Sequence, residues 1–459
     1  MSIVDLIDGS AKRILEIDGF GDGVVRMLKA RGACEVFGAA MAMAFPSNAP
    51  EWYDGFSDCR CDVSALEEGG QFDAIVCHRL LESVRDPLAC LRRIRSWLAP
   101  DGLVVGRVAN HGRRANVQSL IAGNLTYGPL GALQSNQLRL YTRRELEKVA
   151  YRAWLDPELV QGVSHASGGM RCEVRGALPA MSSDAVADAF LFRLRPATMA
   201  AYPLTSIVIV TWNELHYTRQ CVESIIEFTD EPYELIFVDN GSGDGTADYL
   251  QGIPDARLIR NSTNRGFPAA VNQGIGVARG RQIVLLNNDC IVTTGWLRRM
   301  LDALSSDGRI GLVGPCTNYT AGRQCVGIGY DSLSDLDGFA WQRAQLHASL
   351  RLECSPLCGF CLLIRRTVLE TIGGLDERFG LGTCDDDDFC VRAERAGYRL
   401  VAACDAYVHH FGSKTFLGAG IDVSALYERN KRLLIEKIEQ EAKINLRRGY
   451  VPPPIHDDC

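Results

Sequence analysis

Residues 206–210 read Ser-Ile-Val-Ile-Val, and no other stretch restricts the fold so tightly. Successive side chains of a strand point to opposite faces, so this run is apolar on both. Such a strand sits inside a sheet covered on two sides, which means a parallel α/β sheet. ELIFVDN, ARLIRN, QIVLLNND and GFCLLIR follow as its partner strands, separated by the helical stretches HYTRQCVESIIEF, PAAVNQGIGVAR and WLRRMLDALSS. A last helix is predicted over ALYERNKRLLIEKIEQEAK, with Leu426, Leu433, Leu434 and Ile438 on one face.

A separate α/β pattern comes before this one. RILEI, ACEVFGA, FDAIVCH and LVVGRVAN read as strands, with a glycine-rich turn after the first and the helix DPLACLRRIRSWL after the third. A chain of 459 residues exceeds one ordinary hydrophobic core, and two domains of roughly 200 residues each are expected. The expected division is a first domain over 1–180, a linker over 181–202, a second domain over 203–445 and a disordered tail over 446–459.

Composition narrows the function classes. With 47% hydrophobic and 23% charged residues the chain is of the globular type. A net charge of −7 argues against nucleic acid as a partner. The 17 cysteines are scattered rather than packed into a short framework, which fits reduced thiols and a cytoplasmic location. Cys354, Cys358 and Cys361 lack an obvious fourth partner for zinc, and Cys361 belongs to an apolar strand. The N-terminus does not read as a signal peptide. No run approaches the ~18 apolar residues of a membrane span, which leaves peripheral attachment to the inner membrane face open.

Ligands of open α/β sheets gather at the carboxyl ends of the strands, and there the second half carries polar clusters. The first strand ends in Thr211, Trp212, Asn213 and Glu214. The second ends in Asp239, Asn240, Gly241 and Ser242, where an Asp or Asn can hydrogen-bond a base and glycines admit close backbone approach. Asn261, Asn264, Arg265 and Gly266 open a helix whose N-terminus suits an anion, with Asn272 two turns in. Asn287, Asn288 and Asp289 follow QIVLL, and three polar groups ending a buried strand suit a hard cation such as Mg²⁺ or Mn²⁺ with the diphosphate it carries. Asp385 to Asp388 exceed what helix capping needs, and a general base for an acceptor hydroxyl is the sharper reading. His409 and His410 are adjacent after a strand, which in a chain with an Asp cluster suggests metal ligation.

Together SIVIVTWN, ELIFVDNGSGDGT, NRGFPAAVNQG, VLLNNDC, GGLDERFG, DDDDFCVRAERAGY and VHHFGS resemble glycosyltransferase family 2 over nearly all of residues 203–445. The resemblance implies a GT-A fold and transfer of a sugar, with inversion, from a nucleotide-sugar donor to a glycan, lipid-linked or protein acceptor. By the same resemblance Asp239 and Asn240 hold the nucleoside, and Asn287 to Asp289 fill the place of the metal motif with Asp289 the leading ligand. Asp385 and Asp386 match the Glu-Asp pair, with Asp386 the base, and His409 matches the late metal or phosphate His, with His410 the alternative. The chain departs from the family in having Asn at 240 and 287, where many relatives carry Asp.

The first half, through RILEIDGFGDG, FDAIVCHRLLESVRDPLACLRRIRSWLAPDGLVVGRVAN and LRLYTRRELEKV, resembles a class I S-adenosylmethionine methyltransferase with a Rossmann-like fold. Two departures weigh against the cofactor. The glycine that should follow Glu16 by two residues is Asp18, and the acid expected after the second strand is replaced by Ala39 and Ala40. Three readings stand at this point: a glycosyltransferase with a methyltransferase-like partner domain, a bifunctional enzyme of glycan biosynthesis, and a non-catalytic nucleotide- or glycan-binding scaffold.

Overall fold

The computed structural model describes residues 2–19, 22–32, 34–41, 49–58, 71–123, 138–164, 183–197, 202–412 and 414–447. The chain forms two compact units, Met1–Met199 and Ala200–Cys459, each organised by its own sheet. No helix among the described residues is long and apolar enough to cross a membrane. The tail expected over 446–459 lies almost wholly outside the described residues.

The first sheet contains β1 (Arg13–Ile17), β2 (Glu35–Ala40), β3 (Gly55–Asp58), β4 (Phe72–His78), β5 (Leu98–Ala109), β6 (Leu155–Val163) and β7 (Ala189–Pro196), in the order β3-β2-β1-β4-β5-β7-β6. Pairings are parallel except where β7 enters antiparallel between β5 and β6. Residues 189–196, expected to be linker, are therefore a strand inside the sheet. The physical reason is visible in AFLFRL: Phe190, Phe192 and Leu194 bury on one face and Leu191 on the other. No helical partner follows the segment to advertise it.

The second sheet contains β8 (Thr205–Thr211), β9 (Tyr233–Asp239), β10 (Arg257–Arg260), β11 (Gln282–Leu286), β12 (Cys290–Val292), β13 (Ile310–Cys316), β14 (Arg351–Glu353), β15 (Cys361–Arg365) and β16 (Arg399–His410). Its order is β10-β9-β8-β11-β15-β13-β16-β12, with β14 on β16. The run at 206–210 behaves as its composition requires. Ile207 and Ile209 pack on one face with the helices Leu215–Phe228 and Trp296–Ser305, while Val208 and Val210 pack on the other with Phe267–Val277 and Asp385–Arg395. The sheet is mixed rather than parallel throughout, because β15 runs antiparallel to both β11 and β13. Both faces of β15 are buried all the same, so its apolar text carried no sign of direction.

This topology sets the site. β9, β8 and β11 are neighbours and parallel, so the loops after residues 211, 239 and 286 open on one edge. β12 pairs antiparallel with the end of β16, with Cys290 opposite His410. The loop after Ile372 folds back onto the start of the helix Phe267–Val277, where Phe267 N donates to Gly380 O at 3.1 Å. Gly266 makes that approach feasible: its φ is 89° and ψ 162°, and a Cβ there would lie 2.1 Å from Gly380 O. This backbone region is essentially glycine's alone. Gly266→Ala is expected to destabilise the second unit by about 1–3 kcal/mol in urea unfolding. Gly276→Ala, on the same helix with open space around it, is the control and should be neutral or stabilising by up to ~1 kcal/mol. Equal midpoints for the two variants would refute the packing argument.

Candidate active site at the carboxyl edge of the second sheet

The loops after β8 and β9 are tied together by their own polar groups. Asn213 and Glu214 both take left-handed backbone, with φ of 57° and 59°. Asn213 N donates to Ser242 Oγ at 2.8 Å, and its Oδ1 accepts Gly243 N at 2.8 Å. Asp239 is fully buried, accepting from Thr211 Oγ1 at 3.2 Å and Ser242 N at 3.2 Å. Asn240 donates to Gly266 O at 3.2 Å and accepts Asn261 Nδ2 at 2.9 Å. Asp239 and Asn240 thus spend their side chains on the loop scaffold. Asn264 Oδ1 accepts Gly266 N at 2.8 Å, while Arg265 is exposed at the mouth of the following helix. Asn272 differs from expectation: its amide clamps Leu375, accepting Leu375 N at 2.9 Å and donating to Leu375 O at 2.9 Å and Glu377 Oε1 at 3.1 Å. Both hydrogens of the Asn272 amide and one lone pair of its oxygen are thus used within the protein.

The cluster after β11 divides its labour. Asn288 is buried, donating to Thr218 Oγ1 at 3.0 Å and accepting Thr415 Oγ1 at 3.4 Å. Asn287 contributes its backbone, N to Phe360 O at 2.8 Å. Asp289 is buried, and its Oδ1 lies 3.2 Å from His410 Nε2. His410 Nδ1 sits 3.0 Å from the Tyr319 carbonyl, which can only accept, so Nδ1 carries the proton. In the neutral ring Nε2 is then a lone pair aimed at a carboxylate, buried and without a hydrogen bond. Two acceptors held face to face are costly unless a proton on Nε2 or a metal cation stands between them. The pair suits a divalent metal on this ground, since neutral imidazole and carboxylate are ordinary ligands.

Cys290 completes the one group of three potential ligands found among the described residues, with ligand atoms within 4.8 Å of one another. Burial raises its thiol well above the ordinary range, which keeps it protonated and a weak ligand. His409, expected first for this role, faces elsewhere. Its Nδ1 is 2.6 Å from Tyr330 Oη, and burial followed by the neighbouring His410 lowers its pKa to about 4. Adjacent strand residues face opposite ways, so only one histidine of the pair can meet Asp289.

The acids open the helix Asp385–Arg395 after two left-handed residues, Thr383 and Cys384, at φ of 71° and 58°. Asp386 is half-buried; its Oδ2 accepts Gly359 N at 2.7 Å and its Oδ1 accepts Asp387 N at 3.1 Å. Burial raises Asp385 and Asp386 above the ordinary carboxylate range, and the charge of Asp386 adds to the rise at Asp385. Asp387 is pushed up to about 7 by burial and then by Asp386. Asp388 is instead paired, with Arg392 Nε at 2.8 Å and with Lys437.

A three-residue segment before β15 joins these clusters. Gly359 holds Asp386, Phe360 O accepts Asn287 N, and the Phe360 ring stacks on His410 with centroids 5.2 Å apart at 16°. Nothing in the sequence of Cys358-Gly359-Phe360 marked this role, nor that of Thr218, Tyr319 or Tyr330. Each acts through the backbone or through a partner distant in the chain, which leaves no local pattern to read.

The chain is similar to known proteins in both halves. A family model described as glycosyl transferase family 2 matches residues 206–373, and one described as methyltransferase domain matches residues 8–153. A Sinorhizobium fredii protein of unassigned function is 31% identical over 47% of this chain, which spans only 25% of that relative. The Mycobacterium tuberculosis N-acetylglucosaminyl-diphospho-decaprenol L-rhamnosyltransferase is 29% identical, over 44% of this chain and 75% of its own length. Among solved structures, a Pyrobaculum calidifontis mannosyltransferase in complex with GDP-Man and Mn²⁺ aligns over 46% of this chain and 57% of its own, with 21% identity and a TM-score of 0.35. The second half of this chain thus carries a stretch that matches the glycosyl transferase family 2 model, and the first half one that matches a methyltransferase domain model.

Proposed function

We propose that the second unit transfers a glycosyl group, with inversion, from a nucleoside-diphosphate sugar to an acceptor hydroxyl. The observation that carries this reading is the Gly359–Phe360 link, which ties a carboxylate with raised pKa to a buried carboxylate–imidazole pair. Asp386 is the general base: it takes the acceptor proton as that oxygen bonds the anomeric carbon, and the diphosphate leaves with its bonding pair on the opposite face. Asp289 Oδ1 and His410 Nε2 would hold a divalent cation, Mn²⁺ or Mg²⁺. Such a cation supplies neutralisation of charge on the departing diphosphate. Arg265 and the helix start behind it supply positive potential for the same group. Asn213, Glu214 and Asn264 sit at the rim of the nucleoside side. The mycobacterial relative's name pairs a deoxyhexose with a lipid-linked acceptor, and an acceptor of that kind at the inner membrane face is the finer form of the proposal.

The first unit takes part without methyl transfer. Its residues do not fit S-adenosylmethionine. Ala39 and Ala40 end β2 fully buried, with no carboxylate to grip a ribose. Glu16 fills the space against Gly19, where a Cβ would lie 2.1 Å from Glu16 Oε1. Glu16 is itself held by Tyr53 Oη at 2.8 Å and lies 2.9 Å from His78 Nε2. Asp18 takes the left-handed backbone expected of a glycine, φ 52°, and its carboxylate accepts Met41 N at 2.9 Å.

Nucleoside diphosphate release across a panel of nucleotide sugars with Mn²⁺ should identify one donor. Asp386→Asn should lower its kcat by about 10²–10⁴-fold, and His410→Ala should raise the Mn²⁺ concentration needed for half-maximal turnover. Turnover that survives in Asp386→Asn would remove the assigned base.

The pH dependence follows from the acid cluster. A base whose pKa is raised works only once deprotonated, so activity should fall as pH drops through a limb above the ordinary carboxylate range. Asp387→Asn removes the neighbouring negative charge and should move that limb to lower pH. The same substitution has a stability signature. Asp387 is raised in the folded state to about 7, so its contribution is fully present below the unfolded value near ~3.9 and lost as pH rises toward 7. The variant should therefore gain stability over wild type between those limits and hold the gain above them. A limb that does not move and a flat stability difference would count against the coupling.

Equilibrium dialysis of the full chain with labelled S-adenosylmethionine should show no saturable binding. Stoichiometric binding would reinstate the bifunctional reading.

A further inference from the structure

The helix Val423–Arg447 has a charged sequence that gives no sign of a site, and it lies beyond the residues matched by the family model. It nevertheless supplies the side chain most deeply engaged with the turn before the acids. Asn430 is fully buried. Its Nδ2 donates to Gly382 O at 2.6 Å and Phe379 O at 2.8 Å, with Thr383 Oγ1 and O at 3.1 and 3.2 Å. An amide nitrogen has two hydrogens, so these acceptors form a concave ring around it rather than separate bonds.

The backbone they belong to is sharply bent. Gly380, Gly382, Thr383 and Cys384 all have positive φ, at 65°, 125°, 71° and 58°. Glycine takes such values freely, whereas Thr383 and Cys384 hold them against the steric preference of L-residues. The next residues are Asp385 and Asp386. Two turns further along the same face, Lys437 pairs with Asp376 Oδ2 at 2.9 Å and with Asp388. One helix thus grips the turn before the acids and the last acid of the run.

We infer that Asn430 is a positioning residue: by gathering the carbonyls of Phe379, Gly382 and Thr383 it holds the bent turn that presents the Asp386 carboxylate to the acceptor. This rests on the assignment of Asp386 as the base. Asn430 is fully buried and bonds Phe379, Gly382 and Thr383 rather than any residue assigned to the donor or the cation, so its loss should disturb the proton-accepting group and leave donor recognition in place.

The test uses the full chain with Asn430→Ala, the isosteric Asn430→Asp in case the alanine variant does not fold, and Asn430→Ala combined with Thr383→Gly. The clamp predicts faster amide hydrogen exchange across residues 379–388 in the single variants. It predicts a kcat loss of about 100-fold, the scale of a roughly 1 Å misplacement, with the donor KM unchanged. Thr383→Gly should recover part of that kcat, because glycine adopts the turn without help. A helix residue that only contributes packing would lower Tm but leave kcat and the rescue unaffected. Unchanged kcat, a loss confined to donor KM, or absence of rescue overturns the inference. If wild type turns over no nucleotide sugar, the proposed function fails first. Hydrogen exchange still decides the clamp in that case, and unchanged protection at 379–388 refutes it.

Discussion

The hydrogen bond from Gly359 N to Asp386 Oδ2 is the constraint on which the site depends. It fixes a carboxylate on one helix to the segment that enters β15, and β15 is hydrogen-bonded to β11 along its length. Phe360 then passes the constraint on, through its carbonyl to Asn287 and through its ring to His410. The proposed base and the proposed metal-binding pair therefore come from three separate stretches of chain but share one reference, the segment Gly359–Phe360. Catalysis by placement tolerates little slack, and a sheet strand running antiparallel to its neighbours is what delivers Gly359 and Phe360 to the edge where the parallel strands β8, β9 and β11 end.

Four consecutive aspartates are an electrostatic liability, and the structure treats them unequally. Asp388 is discharged by Arg392 and Lys437, so it serves the fold. Asp386 receives two backbone N–H groups, which favour its anion. Asp385 and Asp387 have no comparable cationic partner, and burial together with Asp386 raises both. A carboxylate near other carboxylates in a partly dry site becomes a better proton acceptor than one in water. The same repulsion would unwind the helix start if the preceding turn were free, which is why the contacts from Asn430 and Lys437 matter to chemistry that neither residue performs.

What could be read in advance followed from local rules. SIVIV declared a two-face buried strand, and the carboxyl ends of β8, β9 and β11 were the places to look because such sheets bind ligands there. Where side-chain direction or long-range partnership decides, the text is silent. His409 and His410 differ only in which way a strand residue points, and the pairing of Cys290 with His410 settles it. Asn272 looked like a ligand contact because it sits on the right helix, yet the loop at Leu375 claims its amide. Asp239 read only as a ligand contact, and its bonds to Ser242 and Thr211 within the loop scaffold were not legible. The strand at 189–196 was hidden because its partners lie dozens of residues upstream on both sides of the sheet.

The two units show how far a fold constrains function and where it stops. Both are α/β, both end strands in polar groups, and both resemble enzyme families. In the second unit His410 Nε2 faces Asp289 without a hydrogen bond, an arrangement that a proton or a bound cation would satisfy. In the first unit the buried carboxylate at the end of β1 is answered internally only in part: Glu16 Oε2 accepts from Tyr53 Oη, whose phenol burial and Glu16 keep protonated, while Glu16 Oε1 faces His78 Nε2 at 2.9 Å with neither atom hydrogen-bonded. A buried charge must be satisfied by something. Where the protein's own side chains supply part of it, as Tyr53 does for Glu16, less of that carboxylate is left for a ligand, and the proposed loss of methyl transfer rests on this and on the alanines that end β2.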